Sequence, residues 1–195
     1  MNMLNNDGWS NIEQIPSKTY ICGICGENIC SNEGYNYYYN NGYGLPIKKY
    51  IYICHNCNSP TYFDFEDKQI PGSKYGDDIK YLPEDIGDLF NEARNCYSVN
   101  AFTSTVLCCR KILMSVACES GANEGKNFIE YVNYLDNNHY IPINTKPFVD
   151  KIRLLGNDGT HKLENRTKED AELALNFTSI LLKNIYEMPK LLENS

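Results

Sequence analysis

Two cysteine pairs carry the clearest chemistry in this sequence. Cys22 and Cys25 are spaced C-x-x-C and followed by Gly26; Cys54 and Cys57 repeat the spacing, with 28 residues between Cys25 and Cys54. A C-x-x-C turn directs two sulfurs at one point, and two such turns on neighbouring hairpins complete a tetrahedral shell. The spacing points to one structural Zn2+ held by Cys22, Cys25, Cys54 and Cys57. A redox dithiol, an iron–sulfur site and plain buried thiols are the alternatives. Four thiolates leave no open coordination position, so the metal would support structure and not catalysis. Cys30 and His55 lie near the pairs and read as bystanders. Cys96, Cys108, Cys109 and Cys118 fall in helical stretches and read as small buried or half-buried side chains.

A second constellation lies in IRLLGNDGTH (152–161). If helical winding persists there, Arg153, Asn157 and His161 share a face at i, i+4 and i+8. Arginine offers a permanent charge with a bidentate fork, and histidine can move a proton near neutral pH. Such a trio could hold a phosphate and transfer a proton. In the plainer reading, Asn157 and Asp158 cap a helix break between Gly156 and Gly159, while His161 packs or faces water. One histidine is weak evidence for catalysis, and the spacing alone favours the plainer reading.

The elements that must position these groups differ along the chain. Residues 1–17 are polar and Asn-rich and read as a flexible arm. Residues 18–66 read as a small β zinc ribbon, with strands at TYIC (19–22), KYIYIC (49–54) and TYFDF (61–65). Between the pairs, YNYYYNNGYG (35–44) reads as a strand pair around an Asn-Asn-Gly turn in preference to an aromatic platform for nucleic acid. Residues 67–82, with Pro71, Gly72 and Gly76, read as a linker.

Residues 83–192 have helical periodicity. A helix from Pro83 to about Cys96 opens on Glu84 and Asp85. A second, about Val99–Glu119, carries Phe102, Val106, Cys109, Leu113 and Val116 on one stripe and ends at Gly121. Two more are expected near 126–135 and 147–155. The last starts at a Thr167/Asp170 capping pair and carries Ala174, Phe177, Leu181, Ile185 and Met188. The fold class is therefore α+β: a ribbon followed by an all-α antiparallel bundle.

The chain has 195 residues and a net charge of −7, with 42% hydrophobic and 22% charged residues. No apolar run is long enough to cross a bilayer. The opening MNMLNNDGWSNIEQ has neither a basic region nor an apolar core and does not read as a signal peptide, so a cytoplasmic location is expected. There, nine cysteines favour metal binding over disulfides. The acidic balance argues against general polyanion binding. From Lys146 to Lys168, however, six basic side chains face three acidic ones, a local +3. Segment 18–66 has only Lys18, Lys48 and Lys49 as basic residues, which argues against a DNA-reading ribbon.

LPEDIGDLFNEARNCY (82–97), NAFTSTVLCCRKIL (100–113), IRLLGNDGTH (152–161) and TKEDA (167–171) resemble domain-of-unknown-function family 4145. That family is grouped with the HEPN-like helical bundles of prokaryotic defence and restriction proteins, and a zinc ribbon often precedes it. The resemblance implies a homodimer formed through the bundle. It also implies either of two functions. One is a binding or adaptor module for RNA or a protein effector, in a prokaryotic or phage defence-related setting; the acidic balance ranks it first. The other is a metal-independent ribonuclease, in which His161 works with Arg153 or Arg110 at the dimer interface. HEPN ribonucleases carry Arg, four to six residues, then His; here seven residues separate Arg153 from His161. Arg110 matches an arginine usual in the family.

Overall fold

The structure is a computed structural model describing residues 8–40, 47–142, 145–155 and 165–193. The chain divides into two compact units, Met1–Lys74 and Tyr75–Ser195.

The first unit is a five-stranded antiparallel sheet in the order β1-β2-β3-β4-β5. Its strands are β1 (Glu13–Ile21), β2 (Asn28–Tyr39), β3 (Ile47–Ile53), β4 (Pro60–Phe63) and β5 (Gln69–Ile70). Tyrosine and isoleucine favour this pleated surface. The buried cluster is small and aromatic, built from Ile15, Tyr20, Ile29, Tyr52 and Phe63 together with Cys22 and Cys54. Tyr20 and Tyr52 meet Phe63 edge-on, with centroids 5.4 and 5.7 Å apart. Gly34 on β2 admits no side chain, because a Cβ there would lie 1.9 Å from the Ile51 carbonyl oxygen on β3.

The expected arm over 1–17 is corrected at its C-terminal end, since Glu13 to Ser17 belong to β1. β1 is an edge strand, where Pro16 costs no ladder bond, and its register shifts between Gln14 and Lys18. The Asn-Asn-Gly turn falls on residues 40–42, of which 41 and 42 lie outside the described residues. The tyrosine-rich run before it is strand, as expected.

The second unit is a five-helix domain: α1 (Glu84–Ser98), α2 (Phe102–Glu119), α3 (Phe128–Asn137), α4 (Lys146–Leu155) and α5 (Lys168–Leu182). α5 passes through a π-helical turn (Lys183–Glu187) into a last segment, α6 (Met188–Glu193). α2 packs against α1, α3 and α5. Its stripe of Val106, Cys109, Leu113 and Val116 is buried with Ile112 and Ala117. Thr167 and Asp170 form a reciprocal capping box at α5, as the sequence indicates, and Asn127 with Glu130 forms another at α3. α2 starts three residues later than expected because Asn100 adopts φ 62° and turns the chain. The stretch 67–82 is not a plain linker. It contains β5, and Tyr75, Ile79 and Leu82 pack on the helical core. Among the described residues, no helix is long and apolar enough to cross a membrane.

Two tyrosines tie the helices by donating to carboxylates. Tyr97 on α1 donates to Glu172 on α5 at 2.5 Å, and Tyr186 donates to Glu119 on α2 at 2.6 Å. Burial, reinforced by the carboxylate partner, pushes both phenols above their ordinary value near 10. A raised folded-state value contributes stability that is present below the unfolded value and lost as pH rises through the folded one. In chemical denaturation of the chain these two phenols are therefore expected to contribute a decline in stability above about pH 10. A Tyr97→Phe/Tyr186→Phe variant should lose stability below pH 10 and show a flatter alkaline limb.

Candidate metal centre

Each C-x-x-C pair closes a turn with the same backbone pattern. In the first, after β1, the Cys22 amide donates to the Glu27 carbonyl and the Gly26 amide donates to the Cys22 carbonyl, both at 2.9 Å. In the second, after β3, Cys54 donates to Ser59 at 2.9 Å and Asn58 to Cys54 at 2.8 Å. The residue after each second cysteine is left-handed: Gly26 at φ 79° and Asn58 at φ 58°. Asparagine is among the few residues that visit this region with little strain, so it can serve where the first turn uses glycine. Gly23 is required for another reason. A Cβ there would lie 2.3 Å from the Gly72 carbonyl oxygen, so the backbone after β5 presses directly on the first turn.

These two turns bring four sulfurs together. Cys22 Sγ lies 3.7 Å from Cys57 Sγ, and Cys25 Sγ lies 3.7 Å from Cys54 Sγ. All four lie within 4.8 Å of one another. A tetrahedral zinc site with bonds of about 2.3 Å has sulfur–sulfur edges of about 3.8 Å. The two 3.7 Å separations match such edges and are far from the roughly 2.05 Å of a disulfide. Cys22 and Cys54 are fully buried, and Cys25 and Cys57 are half-buried.

Without a cation the cluster is electrostatically divided. Burial pushes the Cys22 thiol up to about 12 and raises Cys54. For Cys25, burial is outweighed by hydrogen bonds from the Asn56 side chain, the Glu27 backbone and the neighbouring thiols, which bring it to about 7. Four thiolates at these separations need a positive charge among them, and a dication with soft-ligand tolerance fits. Burial also raises Tyr20 beside the cluster to about 12, tempered by the nearby Thr61 hydroxyl. Cys30 and His55 are exposed and outside the cluster.

Only part of the second constellation lies among the described residues. Asn157 and His161 lie outside the described residues. Arg153 sits on α4 and is held by three partners. Its Nε donates to Asn133 at 2.9 Å, and its two terminal nitrogens donate to Asp150 at 2.8 Å and Asp136 at 3.0 Å. Arg110 sits on α2 with its guanidinium carbon 4.8 Å from the Phe128 ring centroid. Spacing could not show the engagement of Arg153, because Asn133 and Asp136 come from α3, 20 and 17 residues away. Sequence reasoning also passed over Arg94 on α1, whose buried guanidinium bonds the Tyr75 and Gly76 carbonyls and Asp78.

Residues 91–194 match the model of a family described as a domain of unknown function, DUF4145. The chain matched no curated protein and no solved structure.

Proposed function

Since the chain belongs to the DUF4145 family, we propose that it is a zinc-stabilised binding or adaptor module, with an HEPN-like bundle that forms a homodimer in a prokaryotic or phage defence setting. In this reading one Zn2+ resides on Cys22, Cys25, Cys54 and Cys57. It supplies positive charge and cross-links the two turns, and the four cysteines saturate it, so it has no catalytic part. The donor set and the 3.7 Å sulfur separations support zinc over harder ions.

The observation that carries the choice of binding over catalysis is the state of Arg153. A guanidinium held by two carboxylates and an amide oxygen has its charge balanced and three of its donors committed. Presenting it to a phosphate would mean breaking those bonds. The local basic stretch is also partly spent within the chain. Arg166 donates to the Leu155 carbonyl at 3.0 Å, and Lys168 pairs with Glu172 at 3.6 Å. Exposed Leu107, Leu154 and Leu192 supply apolar surface for self-association of the helical unit.

The test is direct. Metal analysis of the purified protein should find one zinc per chain. RNA incubated with the zinc-loaded protein should remain intact, and His161→Ala should change nothing. Cleavage that His161→Ala abolishes would replace this reading with the ribonuclease one. Absence of stoichiometric zinc would overturn the metal assignment.

A further inference from the structure

The ribbon sheet buries one face and leaves the other uncovered among the described residues. Tyr52, Thr61 and Phe63 point to the buried side. On the opposite side, cross-strand register aligns Tyr35 with Ile51, Ile51 with Tyr62, and Tyr62 with Ile70 across β2, β3, β4 and β5. The neighbouring row pairs Tyr37 with Lys49. Phe65, just past β4, is 66% exposed and Tyr37 is 54% exposed. With Tyr35, Ile51 and Tyr62 they line a groove of about 340 Å³. Trp9, the only tryptophan, has its ring 6.2 Å from that of Tyr35, one of the lining residues.

We propose that this groove docks a proline-rich peptide in the polyproline II conformation, flanked by basic residues. It rests on the reading of the chain as a binding module. The spacing supports this occupant. Tyr35 and Tyr62 stand two strands apart on either side of Ile51, which sets their ridges about 9.5 Å apart. A polyproline II helix repeats every three residues, about 9.3 Å. Proline rings can therefore sit between the aromatic ridges, with Tyr37 and Tyr62 hydroxyls facing the solvated peptide carbonyls, while the Tyr35 hydroxyl donates to the Ser10 carbonyl at 2.6 Å and is held in place.

Charge and polarity disfavour the other occupants. A nucleic-acid strand needs several cations along its path. Among the described residues, Lys49 is the only cation lining the groove, and its Nζ already donates to the Asp64 carbonyl at 2.7 Å and lies 5.1 Å from the Phe65 centroid. A sugar needs many polar contacts, yet apart from tyrosine hydroxyls the lining offers only Asn36 and Lys49. Glu66, exposed beside Phe65, favours a basic partner, whereas the Asp64 carboxylate accepts from the Glu66 and Lys68 amides at 2.9 Å and shapes the turn that presents Phe65.

The experiment titrates full-length, zinc-loaded protein with a decaproline peptide carrying arginine at both ends. Binding is followed by calorimetry and by Trp9 fluorescence. Saturable binding is expected, weakened at least about tenfold by Tyr37→Ala and by Phe65→Ala, with zinc content and far-UV spectrum unchanged. Tyr38 is 55% exposed on the opposite face, so Tyr38→Ala should bind like the wild type. No saturation at millimolar peptide, equal weakening by Tyr38→Ala, or tighter binding of oligothymidylate or a cello-oligosaccharide would overturn the proposal. So would a self-associated state that Tyr37→Ala dissolves. Zinc loss or RNA cleavage would count against the functional reading instead, and both are read separately from the titration.

Discussion

Replacing Cys22 or Cys54 with serine is expected to abolish zinc binding and unfold the first unit while leaving the second folded. The reason is the poverty of the ribbon core. Besides the cysteines, it buries Ile15, Tyr20, Ile29, Tyr52 and Phe63, and no leucine or valine joins them. Small domains of this kind rarely gather more than a few kcal/mol from burial alone. Structural zinc contributes on the order of 10–16 kcal/mol in finger peptides, more than the margin of most domains. Serine keeps the shape of the side chain but removes the soft thiolate, so the loss would be chemical and not steric. The helical unit has its own core of leucine, isoleucine and valine and does not draw on the metal. Near-UV circular dichroism should separate the two units, because nine of the 16 tyrosines lie in residues 1–74. The expected result is a chain with near-zero zinc, a collapsed aromatic signal and a surviving helical melting transition. Loss of both transitions together, or zinc retained by the serine variant, would contradict it. Cys30→Ser serves as the control, since Cys30 is exposed and outside the cluster.

The same contrast explains what could be read in advance. Paired C-x-x-C turns are a local signal, and each turn forms its pattern from six consecutive residues. The helical stripe of α2 and the capping box of α5 are equally local, set by periodicity and by one threonine–aspartate pair. The readings that needed correction depended on distant partners. β1 extends back to Glu13 because β2 offers it a ladder, which polar EQIPS does not announce. Tyr75, Ile79 and Leu82 look like linker residues until the helical core receives them. The bonds of Arg153 to Asn133 and Asp136 on α3 are equally distant in sequence and could not be read from its spacing. Asn58 shows an intermediate case: its left-handed role follows from its place in the turn, but residue type alone does not separate it from Asn56.

Arg94→Ala is expected to cost the helical unit about 3 kcal/mol. Arg94 on α1 has a side chain only 6% exposed. Its Nε donates to the Tyr75 carbonyl at 3.0 Å and one terminal nitrogen to the Gly76 carbonyl at 2.8 Å. The other terminal nitrogen pairs with Asp78, and the guanidinium carbon lies 5.7 Å from the Phe90 centroid. The residue thus pins the segment ahead of α1, where the Tyr75 ring also packs tilted against Tyr97, centroids 5.0 Å apart, and its hydroxyl accepts from Asn176 at 2.9 Å. Alanine would leave two carbonyls without donors and a void beside Phe90. Asp78 is 88% exposed and can return to water, so the ion pair itself should matter little. Asp78→Ala is therefore expected to cost less than about 1 kcal/mol. Lysine at position 94 keeps the charge but cannot span three acceptors, and should fall between. Urea denaturation of the three variants checks the order, and limited proteolysis between Tyr75 and Tyr81 should accelerate for Arg94→Ala. If Asp78→Ala costs as much as Arg94→Ala, the charge pair and not the carbonyl bonds holds this segment.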